Sequence, residues 1–116
     1  MTQKNCLFCS IIDRKIKADI VAENEHVLAL QDINPMAPTH VLILPKIHFA
    51  NVGELTEKNQ AYFAHMGLMA KELVHSLNVD EDGYRLIINN GANAGQSVFH
   101  LHMHFLAGRE FSWPPG

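Results

Sequence analysis

The sequence predicts an α+β fold: a sheet of about five mostly antiparallel strands, one long helix and a short N-terminal helix. Three observations predict it. Short apolar and β-branched runs such as His40-Val41-Leu42-Ile43-Leu44 recur between turn residues. One long stretch between Glu57 and Leu77 carries its apolar residues at helical spacing. Finally, Gly95-Gln96-Ser97-Val98-Phe99-His100-Leu101-His102-Met103-His104-Phe105-Leu106 alternates with a period of two, which a strand converts into two chemically distinct faces.

In chain order, Cys6-Leu7-Phe8-Cys9-Ser10-Ile11-Ile12 reads as a short helical turn, with Phe8, Ile11 and Ile12 sharing a face. Asp19 to Glu23 and His26 to Asp32 are two strands of a hairpin around Asn24-Glu25. Asn34-Pro35-Met36-Ala37-Pro38 is a loop, because its prolines forbid both helix and ladder. His40 to Leu44 is a central strand that Pro45 ends. The helix runs from Glu57 to Leu77 behind a Thr56 N-cap and buries Phe63, Met66, Ala70, Leu73, Val74 and Leu77. Asn78 and Asp80-Glu81-Asp82-Gly83 turn the chain into a strand from Tyr84 to Asn89. Asn90 to Gly95 is the loop before the histidine strand. His26, His65 and His75 read as surface residues.

The 116 residues make one domain, residues 1–116. A chain 47% hydrophobic and 18% charged is not disordered. A net charge of -3 without a clustered basic face excludes wrapping a nucleic-acid backbone. No apolar run approaches the roughly 20 residues that span a bilayer. Met1-Thr2-Gln3-Lys4-Asn5 lacks the apolar core of a signal peptide, and the 2 cysteines do not form a disulfide framework. A cytoplasmic protein with no membrane or nucleic-acid partner is expected.

On the histidine strand, Phe99, Leu101, Met103 and Phe105 would enter the core while His100, His102 and His104 face a ligand. Strand geometry separates His100 from His104 by about 13 Å, so one ion could take two neighbouring imidazoles but not all three. The Gly91 to Gly95 loop offers backbone N–H groups to an anion, and Ser97 then stands between a phosphate seat and the imidazoles. Neutral imidazole is a good nucleophile at phosphorus. Cys6-x-x-Cys9 is open to three readings: redox pair, metal ligands or plain reduced thiols.

His100-Leu101-His102-Met103-His104-Phe105-Leu106 resembles the H-x-H-x-H-x-x signature of the histidine triad family. Asp32-Ile33-Asn34-Pro35-Met36-Ala37-Pro38-Thr39-His40, Pro45-Lys46-Ile47-His48, Gly95 to His100 and Trp113-Pro114-Pro115-Gly116 are similar to its nucleotide-binding branch, so the likeness covers nearly the whole chain. The resemblance implies a HIT-like fold and a homodimeric hydrolase acting on purine, especially adenosine, 5′-phosphoramidates without a catalytic cofactor. It implies His102 as nucleophile, and His104 and Ser97 at the phosphate and leaving group. Asn89, Gly95 and Gln96 would lie around the phosphate, with Asp32 on the ribose hydroxyls and Ile33 beside the nucleoside. His40 and His100 would support the nucleophile. The tail would reach the site region, across the dimer interface. Some members with this cysteine pair hold a structural zinc, which here implies Cys6, Cys9, His48 and His100. Two other classes compete: a non-catalytic nucleotide- or partner-binding module, and a metal-handling protein whose triad is itself the ligand set.

Overall fold

The computed structural model describes residue 3 and residues 5–116. Met1, Thr2 and Lys4, part of the stretch read above for a signal-peptide core, lie outside the described residues. The elements are α1 (Leu7–Ile12), β1 (Ile20–Glu23), β2 (Val27–Gln31), β3 (Thr39–Pro45), α2 (Gln60–Leu77), β4 (Tyr84–Ile87) and β5 (Met103–Ala107). Short 3-10 turns lie at Val52–Glu54 and Ala92–Ala94. The sheet has five strands in the order β1-β2-β3-β5-β4, and every neighbouring pair is antiparallel.

The sheet is covered on both sides, and strand alternation sorts the residues between them. Val27, Ala29, Val41, Ile43, Met103, Phe105 and Ala107 face α2, which buries Met66, Met69, Ala70, Leu73 and Val74 against them. Leu28, Leu30, Leu42 and Leu44 face the other way, onto Cys6, Phe8, Cys9 and Ile11 of the α1 segment. Burial on both faces explains why β2 and β3 read as continuous apolar runs. No helix of the described residues is long and apolar enough to cross a membrane.

Four local expectations need correction. Regular α2 begins at Gln60 rather than Glu57. Thr56 does act at this terminus: its hydroxyl accepts from Lys58 N–H at 3.2 Å while Asn59 Oδ1 accepts from Thr56 N–H at 2.7 Å. That exchange holds residues 57–59 as a turn. Met69 joins the buried stripe, whereas Leu77, in the last turn, stays exposed. The strand from Tyr84 ends at Ile87, two residues short of Asn89. The histidine strand begins only at Met103, opposite Ile43. Beyond that pair β3 reaches Pro45, which has no N–H to give and whose carbonyl accepts instead from the His100 ring. Phe99 therefore lies outside the ladder and is 52% exposed, not in the core, while Leu101, Met103 and Phe105 are buried as the alternation requires.

Candidate active site and metal cluster

The β3–β5 register places His40 opposite Leu106 and Leu42 opposite His104, so His40 and His104 are diagonal neighbours on the α1 side of the sheet. Their rings meet, with His40 Nε2 2.9 Å from His104 Nδ1 and 3.3 Å from Asp32 Oδ2. The backbone fixes the tautomers. Met36 N–H donates to His40 Nδ1 at 3.0 Å, so neutral His40 carries its proton on Nε2 and donates it to His104 Nδ1. His104 is left with a donor at Nε2. Asp32 uses Oδ1 to accept from Asn34 N–H at 2.8 Å, so it closes a turn as well as facing His40.

His102 is oriented by a second carbonyl. Its Nδ1–H donates to His100 O at 2.7 Å, which leaves the Nε2 lone pair bare on a ring that lines a cavity of about 540 Å³. Ser97, His104, Asp32, Ile33 and Asn34 line the same cavity, and so do Leu7, Phe8 and Ile11 of α1. Ile33 is 91% exposed at its rim. Burial pushes the His40 and His102 imidazoles below the ordinary value, against the opposing pull of the Asp32 carboxylate. Burial, helped by the neighbouring His102 and His40, takes His104 down to about 4. These three rings are therefore neutral at pH 7.

The first triad residue, His100, is fully buried and does not face this cavity. Its ring joins Cys6, Cys9 and His48 in a group whose donor atoms all lie within 4.8 Å of one another. His100 Nδ1 stands 3.4 Å from Cys6 Sγ, 3.5 Å from Cys9 Sγ and 3.2 Å from His48 Nδ1, and Cys9 Sγ is 3.4 Å from His48 Nδ1. Two sulfurs and two nitrogens around tetrahedral zinc would stand about 3.3–3.8 Å apart. The donor set fits. His100 Nε2–H donates to Pro45 O at 2.9 Å, which turns the bare Nδ1 lone pair toward the cluster, the usual outer support of a metal-binding imidazole. Without a cation, burial raises the Cys9 thiol, which a bound metal would reverse. The triad is thus divided between two clusters rather than gathered on one ion. A second close group, Asp32, His40 and His104, is joined by the hydrogen bonds described above.

The remaining expected residues play other parts. Gln96 is buried, with Oε1 accepting from Gly91 N–H at 2.8 Å and Nε2 donating to Ala50 O at 2.6 Å and Val98 O at 3.2 Å. It fastens the loop that carries Ser97. Gly95 has φ 97° and packs beside Asn89, where an added Cβ would stand 3.6 Å from the Asn89 amide nitrogen. Asn89, Gly95 and Gln96 do not line the His102 cavity. His26 and His65 stack with ring centroids 4.0 Å apart on the surface. Trp113 is 83% exposed; Ser112 O before it accepts from Arg85 at 2.8 Å. Sequence reasoning missed the backbone groups of Met36, Pro45 and His100 that set the tautomers. The spacing of Phe8 and Ile11 marked them only as sharing one face of a helical turn.

The antiparallel sheet brings imidazoles and a hydroxyl to one cavity, an arrangement chemically able to attack or to bind a small polar ligand. The chain belongs to the HIT domain family, which it matches over residues 13–111. It is 48% identical over 113 residues to an uncharacterised HIT-like protein of Synechocystis, covering 97% of this chain and 98% of that one. Its structure is similar to that of a HIT family hydrolase from Legionella pneumophila Philadelphia 1, with TM-score 0.93, 43% identity, and 97% and 100% of the two chains covered. It is also similar to a histidine triad nucleotide-binding protein from Candida albicans, with TM-score 0.82, 32% identity, and 95% and 83% covered.

Proposed function

We propose that the protein is a single-domain, cytoplasmic histidine triad hydrolase of the nucleotide-binding branch, acting on purine nucleoside 5′-phosphoramidates, adenosine first among them. One observation carries the reading: His102 is neutral, its Nδ1–H is held on His100 O, and its bare Nε2 belongs to a ring lining the same cavity as Ser97, His104 and Asp32. The similarity to named hydrolases and to a nucleotide-binding protein supports it.

In this mechanism His102 Nε2 forms a bond to phosphorus and the phosphorus–amine bond breaks. The new bond is also P–N, so the intermediate is close in kind to the substrate and neither a trap nor a high barrier. The Nδ1–H stays on the His100 carbonyl, which shares the positive charge that develops on the ring. His104 Nε2–H and the Ser97 hydroxyl are the donors for the phosphoryl oxygens and the departing amine, which takes up one proton. Water then attacks phosphorus and gives up one proton, which restores the donor that protonated the amine; His102 leaves as neutral imidazole and nucleoside monophosphate is released. Asp32, at the end of β2, is the group for the ribose hydroxyls.

No step uses a cofactor. Cys6, Cys9, His48 and His100 would hold a structural zinc, whose chemistry there is to keep both thiolates and both imidazoles in place. The edge strand β4, with Tyr84 and Leu86 only partly covered, is the natural seam of a homodimer.

Incubation with an adenosine 5′-phosphoramidate should release AMP and free amine, and rapid-quench mass spectrometry should trap the nucleotidyl group on His102 alone. His102→Ala should bind AMP and not turn over. An adduct on His100 or His104, or wild-type turnover in His102→Ala, would overturn the assignment. AMP binding without phosphoramidate turnover would assign a non-catalytic nucleotide-binding module instead.

A further inference from the structure

We infer that the cysteine–histidine cluster and the nucleotide cavity are energetically coupled through α1, so that a divalent cation of the zinc type tightens the binding of a nucleoside monophosphate, with Phe8 as the positioning residue between them. The inference rests on the nucleotide reading of the cavity given above.

One short helix serves both sites. Cys6 is the N-cap of α1 and Cys9 lies within it, so α1 supplies two of the cluster's four donors. Leu7, Phe8 and Ile11 of the same helix line the cavity that holds His102 and His104. Between the two sets stands the Phe8 ring, edge-on to His102 at 5.0 Å and to His100 at 5.8 Å. A helix of 6 residues has little stability of its own, so its position depends on what grips it. Its grips are the packing of Phe8 and Ile11 on Leu28, Leu30, Leu42 and Leu44, and the cluster itself.

A second route runs through His100. Its ring is a cluster donor, while its carbonyl, on the same residue, accepts from His102 Nδ1 at 2.7 Å. A metal that fixes the ring therefore also fixes the backbone that orients the nucleophile. Loss of the metal removes one grip from α1 and from His100 together, and so loosens one wall of the cavity and the support of His102. Coupling of this kind is reciprocal: whatever factor the metal adds to nucleotide affinity, the nucleotide must add to metal affinity.

The test uses the zinc-loaded protein. Zinc affinity is measured by competition with a chromophoric chelator, with and without saturating AMP. AMP should tighten zinc by a factor of about five or more, the lower end of ordinary allosteric coupling. Phe8→Ala should keep about one zinc per chain, with the factor falling toward one, and Phe8→Leu should restore part of it. A purely structural metal would give the same zinc affinity with and without bound AMP, and that result overturns the coupling while leaving the nucleotide reading intact. An unchanged factor in Phe8→Ala removes Phe8 from the path and overturns the proposal as stated. If Phe8→Ala does not fold, Phe8→Leu is read on the same scale, and a factor equal to that of wild type counts against the role of Phe8. Failure of AMP to bind at all overturns the nucleotide reading and this inference with it.

Discussion

Lowering the pH should destabilise the fold through His104, and the size of the effect follows from its surroundings. Burial, with His102 and His40 beside it, takes this imidazole from 6.5 to about 4. The folded-state value is depressed, so below 6.5 the unfolded chain binds a proton that the native chain refuses. The sign is therefore fixed: His104's contribution is full above pH 6.5, falls as the pH drops, and is exhausted once the pH passes below about 4. Integrating between those values gives a loss of about 2 kcal/mol on going from pH 7.5 to pH 5, trimmed toward about 1 by the part of the ring that water still reaches. Urea titrations at a series of pH values, with excess zinc throughout and followed by the circular dichroism of α2, measure the effect. Trp113 is too exposed to report on the core. His104→Gln should lose about 1–2 kcal/mol less than wild type over the same interval. Equal losses in the two proteins would refute the claim that burial of this ring is the source.

Two further outcomes follow from the site's supports. Gln96→Ala leaves Gly91 N–H, Ala50 O and Val98 O without their partner, and should cost about 2–3 kcal/mol in urea unfolding while weakening AMP binding, because Ser97 adjoins the loosened loop. Unchanged stability would mean that water replaces the amide without penalty. Truncation after Phe111 removes Trp113, which is exposed in the chain, so it should change stability by no more than about 0.5 kcal/mol yet alter the preference among phosphoramidate substrates. Light scattering on the same samples should give a dimer for both, and a monomer at micromolar concentration would contradict the homodimer.

How much was legible in the chain depended on whether the determining interaction was local. β3 could be read because a strand buried on both faces must be apolar at every position, and the α2 stripe because one face of a helix packs on the sheet. The alternation from Leu101 to Phe105 likewise specified the buried side of β5. It could not say where the ladder starts, because that depends on the partner: β3 ends at Pro45, so pairing stops at Met103 and Phe99 is left outside. Cys6 and Cys9 are neighbours in sequence, and their spacing at a helix start was visible. That His48 and His100 join them came only from resemblance, because the fold closes separations of 39 to 94 residues to bring the four together. The period-two alternation alone makes the three histidines alike, yet tertiary structure gives them different surroundings. His100 turns into the metal cluster, while His102 and His104 line the cavity. Their tautomers are set by Pro45 O, His100 O and, through His40, Met36 N–H. Every residue carries that carbonyl, and every residue but proline that N–H, so side-chain identity could not reveal which ones the fold would aim at a histidine.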